Sequence, residues 1–340
     1  SKVMKKSFSV FIGIDVSKFK LDVCCLQADG KQGQHQVFDN TLKGIRVMLK
    51  WIGELADVTK EEYLFCLEHT GVYTMPLCCY LAEQQCRFAM VPALEILKSI
   101  GMKRGKTDKA DATAIAKYAQ MRCTDIRLYT LPEKQLIRLK LLLSHRNLLV
   151  KTRKSFYVAL TEPSLFIDKE LIRDINRHNK QLVKNLDAKI KQAEKQITDI
   201  ITANEQMNKV YALLKSVPGV GPHIAAYLIV YTRCFTVFEN SRKFACYAGI
   251  APFEHQSGIS IKGRNRVSHL ANKRMKSLLN MAALTARKTD MQIKNYYDRK
   301  LNEGKNPMLI LNNIRNKLVA RIFATVKRQT PYVFTMQFAT

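Results

Sequence analysis

The hydrophobic positions of the first third come in short dense runs divided by polar turns. Phe8 to Asp15, Leu21 to Leu26, Tyr63 to Leu67 and Arg87 to Val91 read as strands, and Gln34 to Phe38 as a shorter one, third in order. Asn40-Thr41 offers an N-cap to a helix running to about Leu55, and a second helix is expected from Val72 to about Gln85. From Ala93 to Met121 the pattern is helical, with a break over Gly101 to Lys106. Three meandering strands followed by alternating helix and strand is the order of an α/β RNase H-like or RuvC-like core. In that order the first and fourth strands are neighbours at the sheet centre.

The pattern changes at Leu131. Up to Asn204 there is little Gly, only Pro132 and Pro163, and abundant Leu, Ile, Lys and Arg. Ile175, Leu182, Leu186, Ile190, Ala193, Ile197 and Ile200 recur at spacings of three, four or seven, the seam of a coiled coil or long helical hairpin. Such a segment serves as a spacer, as a self-association surface, or as both. Beyond it, Val217-Pro218-Gly219-Val220-Gly221 precedes an apolar helix from Ile224 to Tyr231. A turn of this kind either caps helices or turns its backbone N–H groups toward a phosphate.

Composition adds a partner. The 340 residues hold 56 Lys+Arg against 28 Asp+Glu, a formal net charge of +28. A surplus of that size fits a polyanion, and nucleic acid is the natural one. Hydrophobic residues make up 47%, so a core forms and wholesale disorder is excluded. No apolar run reaches the roughly 18 residues of a membrane span, no signal peptide is expected, and no membrane partner is implied. The nine cysteines lack the spacing of zinc ligands and read as buried free thiols in a reducing compartment.

Against this basic background four acids stand out. Asp15 closes the run Phe11-Ile12-Gly13-Ile14, Glu68 closes Tyr63 to Leu67, and Asp108 and Asp111 lie three apart on a helix. A carboxylate at the end of a buried strand is costly unless compensated, and a divalent metal is the usual compensation. Each acid alone reads equally as a cap or turn residue. Together, in this element order, they point to a site for Mg²⁺ or Mn²⁺ that acts on phosphodiesters. Asp22 is another strand acid, but alternation along its strand places it away from Asp15, and it is left out of the set. Lys103, Arg104 and Lys106 crowd the loop before the acidic helix, as a solvated run or as contacts to a DNA backbone. Near the other end, Ser257 precedes a dense basic stretch that includes Lys262, Arg264, Arg266, Lys273 and Arg274. Residues 258–328 carry 17 Lys+Arg against 3 Asp+Glu. A serine beside glycine is usually a turn residue; here it is also a candidate nucleophile toward a phosphate, with arginines to bear the developing charge.

Six segments taken in order carry a resemblance: Phe-Ile-Gly-Ile-Asp15-Val-Ser-Lys, Leu-Glu68-His-Thr-Gly-Val-Tyr, Lys-Thr-Asp108-Lys-Ala-Asp111-Ala, Val-Pro-Gly-Val-Gly, Tyr-Ala-Gly-Ile-Ala-Pro and Gln-Ser257-Gly. The chain resembles DEDD-type insertion-sequence transposases, the Piv-related, bridge-RNA-guided recombinases. The resemblance implies a RuvC-like DEDD domain over 1–125, a helical coiled-coil connector over 126–208 and a mainly α C-terminal transposase domain over 209–340. It implies that Asp15, Glu68, Asp108 and Asp111 bind Mg²⁺ (or Mn²⁺) and that Ser257 forms a phosphoserine link to DNA. It further implies target and donor DNA and a noncoding bridge RNA as partners. Dimers assembling to a tetramer and a prokaryotic cytoplasm, close to the nucleoid, are implied as well. Two rival functions remain at this point: a RuvC-like structure-specific nuclease that uses water, and a non-catalytic nucleic-acid-binding protein.

Overall fold

The structure is a computed structural model that describes residues 8–28, 33–56, 58–68, 71–100, 107–161, 168–257, 261–267 and 271–333. For Val72, Ile100, Thr161, 253–257 and 261–266 it describes the backbone alone. The chain divides into two compact units, Ser1–Leu131 and Pro132–Thr340.

The first unit is built in chain order from β1 (Val10–Val16), β2 (Lys20–Gln27), β3 (Gln34–Asp39), α1 (Leu42–Leu55), β4 (Tyr63–Glu68), α2 (Met75–Glu83), β5 (Arg87–Val91), α3 (Ala93–Ile100) and α4 (Asp108–Arg122). The helix expected from Val72 opens as a short 3₁₀ turn and becomes α2 at Met75, where Pro76 suits the first helical turn. The strands form one sheet in the order β3-β2-β1-β4-β5. β2 is antiparallel to both of its neighbours, β1 and β3, whereas β4 runs parallel to β1 and β5 parallel to β4.

Alternation along β1 distributes its side chains between two helical layers. Ile12 and Ile14 pack with Ile45, Met48 and Ile52 of α1 and with Leu77 and Leu81 of α2. Phe11 points the other way and packs with Leu64 and Cys66 of β4 and with Ala112, Ile115, Ala116 and Ala119 of α4. The small residues of α4 let its backbone lie close on the sheet. A Cβ at Gly13 would collide with the backbone N of Ala116 and O of Ala112, so glycine in β1 is what admits the helix at this depth.

The second unit is mainly helical. Its elements are α5 (Lys134–Thr161), α6 (Lys169–Thr202), α7 (Glu205–Ser216), α8 (Pro222–Thr232), α9 (Ser241–Tyr247), the hairpin β6 (Phe253–Ser257) and β7 (Ile261–Arg266), α10 (Lys273–Thr289), α11 (Met291–Asn302) and α12 (Pro307–Arg328). Side chains at the caps set many boundaries: Asp168, Asn204, Asn240, Asn272, Asp290 and Asn306 each accept a backbone N–H of the first turn that would otherwise lack a partner. Ion pairs join Arg146 to Glu194 and Arg153 to Asp187, so residue numbers rise on α5 as they fall on α6 and the two helices are antiparallel. The apolar seam on α6 is covered over part of its length. Ile190, Ala193 and Ile197 are buried, while Ile175 and Leu182 are exposed.

Among the described residues no helix is long and apolar enough to cross a membrane. All nine cysteines are free, and burial pushes the thiols of Cys25, Cys66 and Cys78 up to about 12, far from reactive.

Candidate active site

The two central strands deliver two acids to one edge of the sheet. In the parallel register Ile14 faces Leu67, so Asp15 and Glu68 follow as the next residues on neighbouring strands. Both belong to the face that α4 covers. Asp108 and Asp111 occupy the first turn of that helix, where Thr107 caps it by accepting the N–H of Ala110 at 3.2 Å. The charges of this group act together on Asp15. Burial first, then Glu68, Asp108, Asp111 and Asp22, raise the Asp15 pKa from 3.8 to about 6. All the donors are carboxylate oxygens, the hard set that suits a cation such as Mg²⁺ or Mn²⁺. Among the described residues no three acidic, His or Cys side chains close onto a common point as a coordination shell.

One expectation is corrected here. Alternation along β2 was expected to turn Asp22 away from Asp15. Instead Asp22 pairs directly with Asp15 across the antiparallel β1–β2 register, and opposed residues share a face. Asp22 is 4% exposed, and its charge adds to the load on Asp15. The signal lay in the turn: equal steps outward from Lys18-Phe19 pair Asp15 with Asp22, whereas alternation within one strand carries no register. Sequence reasoning also passed over Lys20. Its Nζ donates to Asp108 Oδ2 at 2.5 Å and lies 3.1 Å from Asp22 Oδ2, so one ammonium joins β2 to the acidic turn of α4. His35 Nε2, 3.3 Å from Asp22 Oδ1, completes the surroundings of that carboxylate.

Ser257 belongs to the second unit. It closes β6 and pairs with Ile261 of β7, so it ends a strand at the tip of a hairpin rather than lying in a free loop. The root of that hairpin is firmly held. Asn312 and Asn316 of α12 each donate to the Ile250 carbonyl at 3.0 Å. Asn272 donates its backbone N–H to the Tyr247 carbonyl and its side-chain amide to the Tyr247 hydroxyl, both at 2.8 Å. Gly249 adopts φ +67°, and a Cβ there would press on Ala271 Cβ at 2.5 Å, which accounts for glycine in Tyr-Ala-Gly-Ile.

The basic candidates divide. Lys262, Arg264 and Arg266 ride on β7, while Lys103, Arg104 and Lys106 lie outside the described residues. Lys273 is exposed in the first turn of α10. Arg274 is engaged inside the second unit: it donates to Asn147 Oδ1 at 2.6 Å, approaches His223 Nε2 at 3.5 Å, and lies 5.4 Å over the Tyr227 ring. His223 Nε2 also lies 3.3 Å from Arg146. Burial, then the Arg146 and Arg274 charges, lower the His223 pKa to about 4, so a neutral imidazole accepts from two guanidiniums.

Comparison with known proteins gives this arrangement a family. A model for the DEDD transposases of IS110 type, described as "Transposase", matches residues 12–162 and so contains all four acids. A second, "Transposase IS116/IS110/IS902 family", matches residues 211–298 and contains Ser257. The chain belongs to the IS110 transposase family. It is similar, at 27% identity over 330 residues, to the pilin gene-inverting protein of Moraxella bovis, covering 95% of this chain and 97% of that one. The same protein of Moraxella lacunata is equally similar, also 27% identical over 330 residues. An uncharacterized protein of insertion element IS110 from Streptomyces coelicolor is 32% identical over 120 residues, 35% of this chain and 29% of that one. The IS110-family chain is therefore a DNA recombinase, an enzyme that acts on DNA, and its family suggests use of a divalent metal.

Proposed function

We propose that this IS110-family transposase cuts and rejoins DNA through a phosphoserine intermediate formed at Ser257, assisted by divalent metal held by Asp15, Glu68, Asp108 and Asp111, and that a bridge RNA guides it. The observation that carries the metal-site reading is the joint action of burial and the neighbouring acids on Asp15, which leaves its proton held to about pH 6. A cluster with that excess of negative potential, made of oxygen donors, fits Mg²⁺ or Mn²⁺. When bound, the metal supplies Lewis acidity and charge neutralisation at a phosphate.

The serine chemistry rests on the family match over residues 211–298 and on a hairpin held at its root. The Ser257 oxygen bonds to phosphorus, the P–O bond to the leaving strand breaks, and the freed strand end takes the proton that the hydroxyl gives up. The ester keeps the energy of the phosphodiester, so the reverse step with another strand end reseals DNA without a nucleotide triphosphate.

The first unit is proposed to be an RNase H-like, RuvC-type domain, supported by the order β3-β2-β1-β4-β5 with only β2 reversed. The functional division is proposed as 1–125, 126–208 and 209–340, with α5 and α6 as the coiled-coil connector. Exposed Leu148 and Val158 on α5 and Leu171, Ile175 and Leu182 on α6 support self-association there, to a dimer and then a tetramer. Target and donor DNA and the RNA suit the net charge of +28.

The test is denaturing electrophoresis of the protein after incubation with Mg²⁺, RNA and end-labelled DNA. A protease-sensitive adduct is expected for wild type and none for Ser257→Ala. Cleavage retained by Ser257→Ala without an adduct would instead identify water as the nucleophile.

A further inference from the structure

Lys169, Arg173, Arg177 and Lys180 line a cavity of ≈ 480 Å³ on α6, together with Ile172 and Asn176 and, among the described residues, without a carboxylate. The same side of the helix continues through Lys184, Lys191 and Lys195, and all seven cations are exposed. At about 100° per residue they fall within a sector of about 80°, and at about 1.5 Å per residue they span about 39 Å. The residues that seat α6 in the core, Ile190, Ala193, Ile197 and Ile201, are centred about 120° away, so the ridge faces outward. Asp187 falls in the charged sector and is held by Arg153 Nε at 2.6 Å. Arg177 has a neighbouring acid in Asp174, at 2.8 Å. Like charges stacked at spacings of three and four weaken a helix, and a helix that serves only as a spacer alternates its signs. A ridge of seven exposed cations with one acid in its sector suits an external polyanion.

We propose that this ridge of α6 docks the phosphate backbone of duplex DNA. Its length is close to the roughly 34–36 Å of one duplex turn. A straight, stiff row of cations suits a polyanion that stays straight over this distance, as a duplex with a persistence length of about 50 nm does. The DNA partner follows from the family, and flexible cations bind phosphates without reading bases, so the surface grips DNA of any sequence. It involves neither the acidic cluster nor Ser257, and it is tested without cleavage.

The full-length protein, kept free of divalent metal, is titrated onto a labelled duplex by fluorescence anisotropy at several salt concentrations. Combining Arg173→Gln, Arg177→Gln, Lys180→Gln and Lys184→Gln is expected to weaken binding at least about tenfold and to lower the slope of log K against log salt by about 0.9 for each phosphate no longer neutralised. Combining Lys43→Gln, Arg46→Gln, Lys50→Gln and Lys60→Gln removes the same charge from exposed positions of the first unit and is expected to leave the slope unchanged. Equal loss in both sets, an unchanged slope in the first, or a loss confined to a labelled RNA hairpin would overturn the proposal. If circular dichroism showed the first set misfolded, Arg173→Gln and Lys180→Gln singly must each lower the slope, and unchanged slopes in both would be equally fatal.

Discussion

At the scale of single residues, the chain concentrates its electrostatic strain on Asp15 and on His223, and the signs are opposite in origin. Asp15 holds its proton up to about pH 6 in the fold against 3.8 ordinarily, so as pH rises through this window the metal-free fold loses stability. Asp15→Asn removes that repulsion. It is expected to raise metal-free stability by about 1 kcal/mol, after allowance for solvent screening of a half-buried group, while abolishing DNA cleavage. Denaturant unfolding in chelator, beside a cleavage assay, checks both halves. His223, with its pKa lowered from 6.5 to about 4, is neutral in the fold at pH values where the unfolded chain is already charged. Its contribution is intact above about pH 6.5 and is lost as pH falls toward 4. Melting curves across that range should decline more steeply for wild type than for His223→Gln, by on the order of 1 kcal/mol at the acid end.

At the scale of elements, the contact between β1 and α4 positions the acids. Gly13 admits the α4 backbone, and the first turn of that helix carries Asp108 and Asp111 toward the face that bears Asp15. Gly13→Ala places a methyl against backbone atoms that cannot swing aside, so a loss of about 3 kcal/mol or more is expected, measurable by urea unfolding. Four of the five strands were legible from short apolar runs, and the start of α1 from Thr41, because capping and alternation are local properties. The seam on α6 was legible too, although periodicity says nothing about how much of it the neighbouring helix covers. Ile190 is buried and Ile175 is exposed on the same stripe.

At the scale of the whole molecule, each unit has its own core, and the acids lie entirely within the first. A fragment of residues 1–131 is therefore expected to unfold cooperatively by itself. Adding Mg²⁺ at about 100 times its dissociation constant should stabilise that fragment by about 2.7 kcal/mol, and Asp15→Asn should erase the response. A fragment that stayed unstructured, or one that ignored Mg²⁺, would count against the independence of the unit or against the metal site respectively.

The order of residues by itself determined the strands and main helices of the first unit, the positions of the four acids at strand ends and in a first helical turn, and the basic excess that suits a polyanion. Tertiary structure alone decided that Asp22 stands opposite Asp15, that Lys20 joins Asp22 to Asp108, and that Asn312 and Asn316 hold the root of the serine hairpin. The physical reason is range. Periodicity and capping act within a few residues of the backbone, whereas register and side-chain partnership depend on segments that meet only after the sheet and the helices have packed.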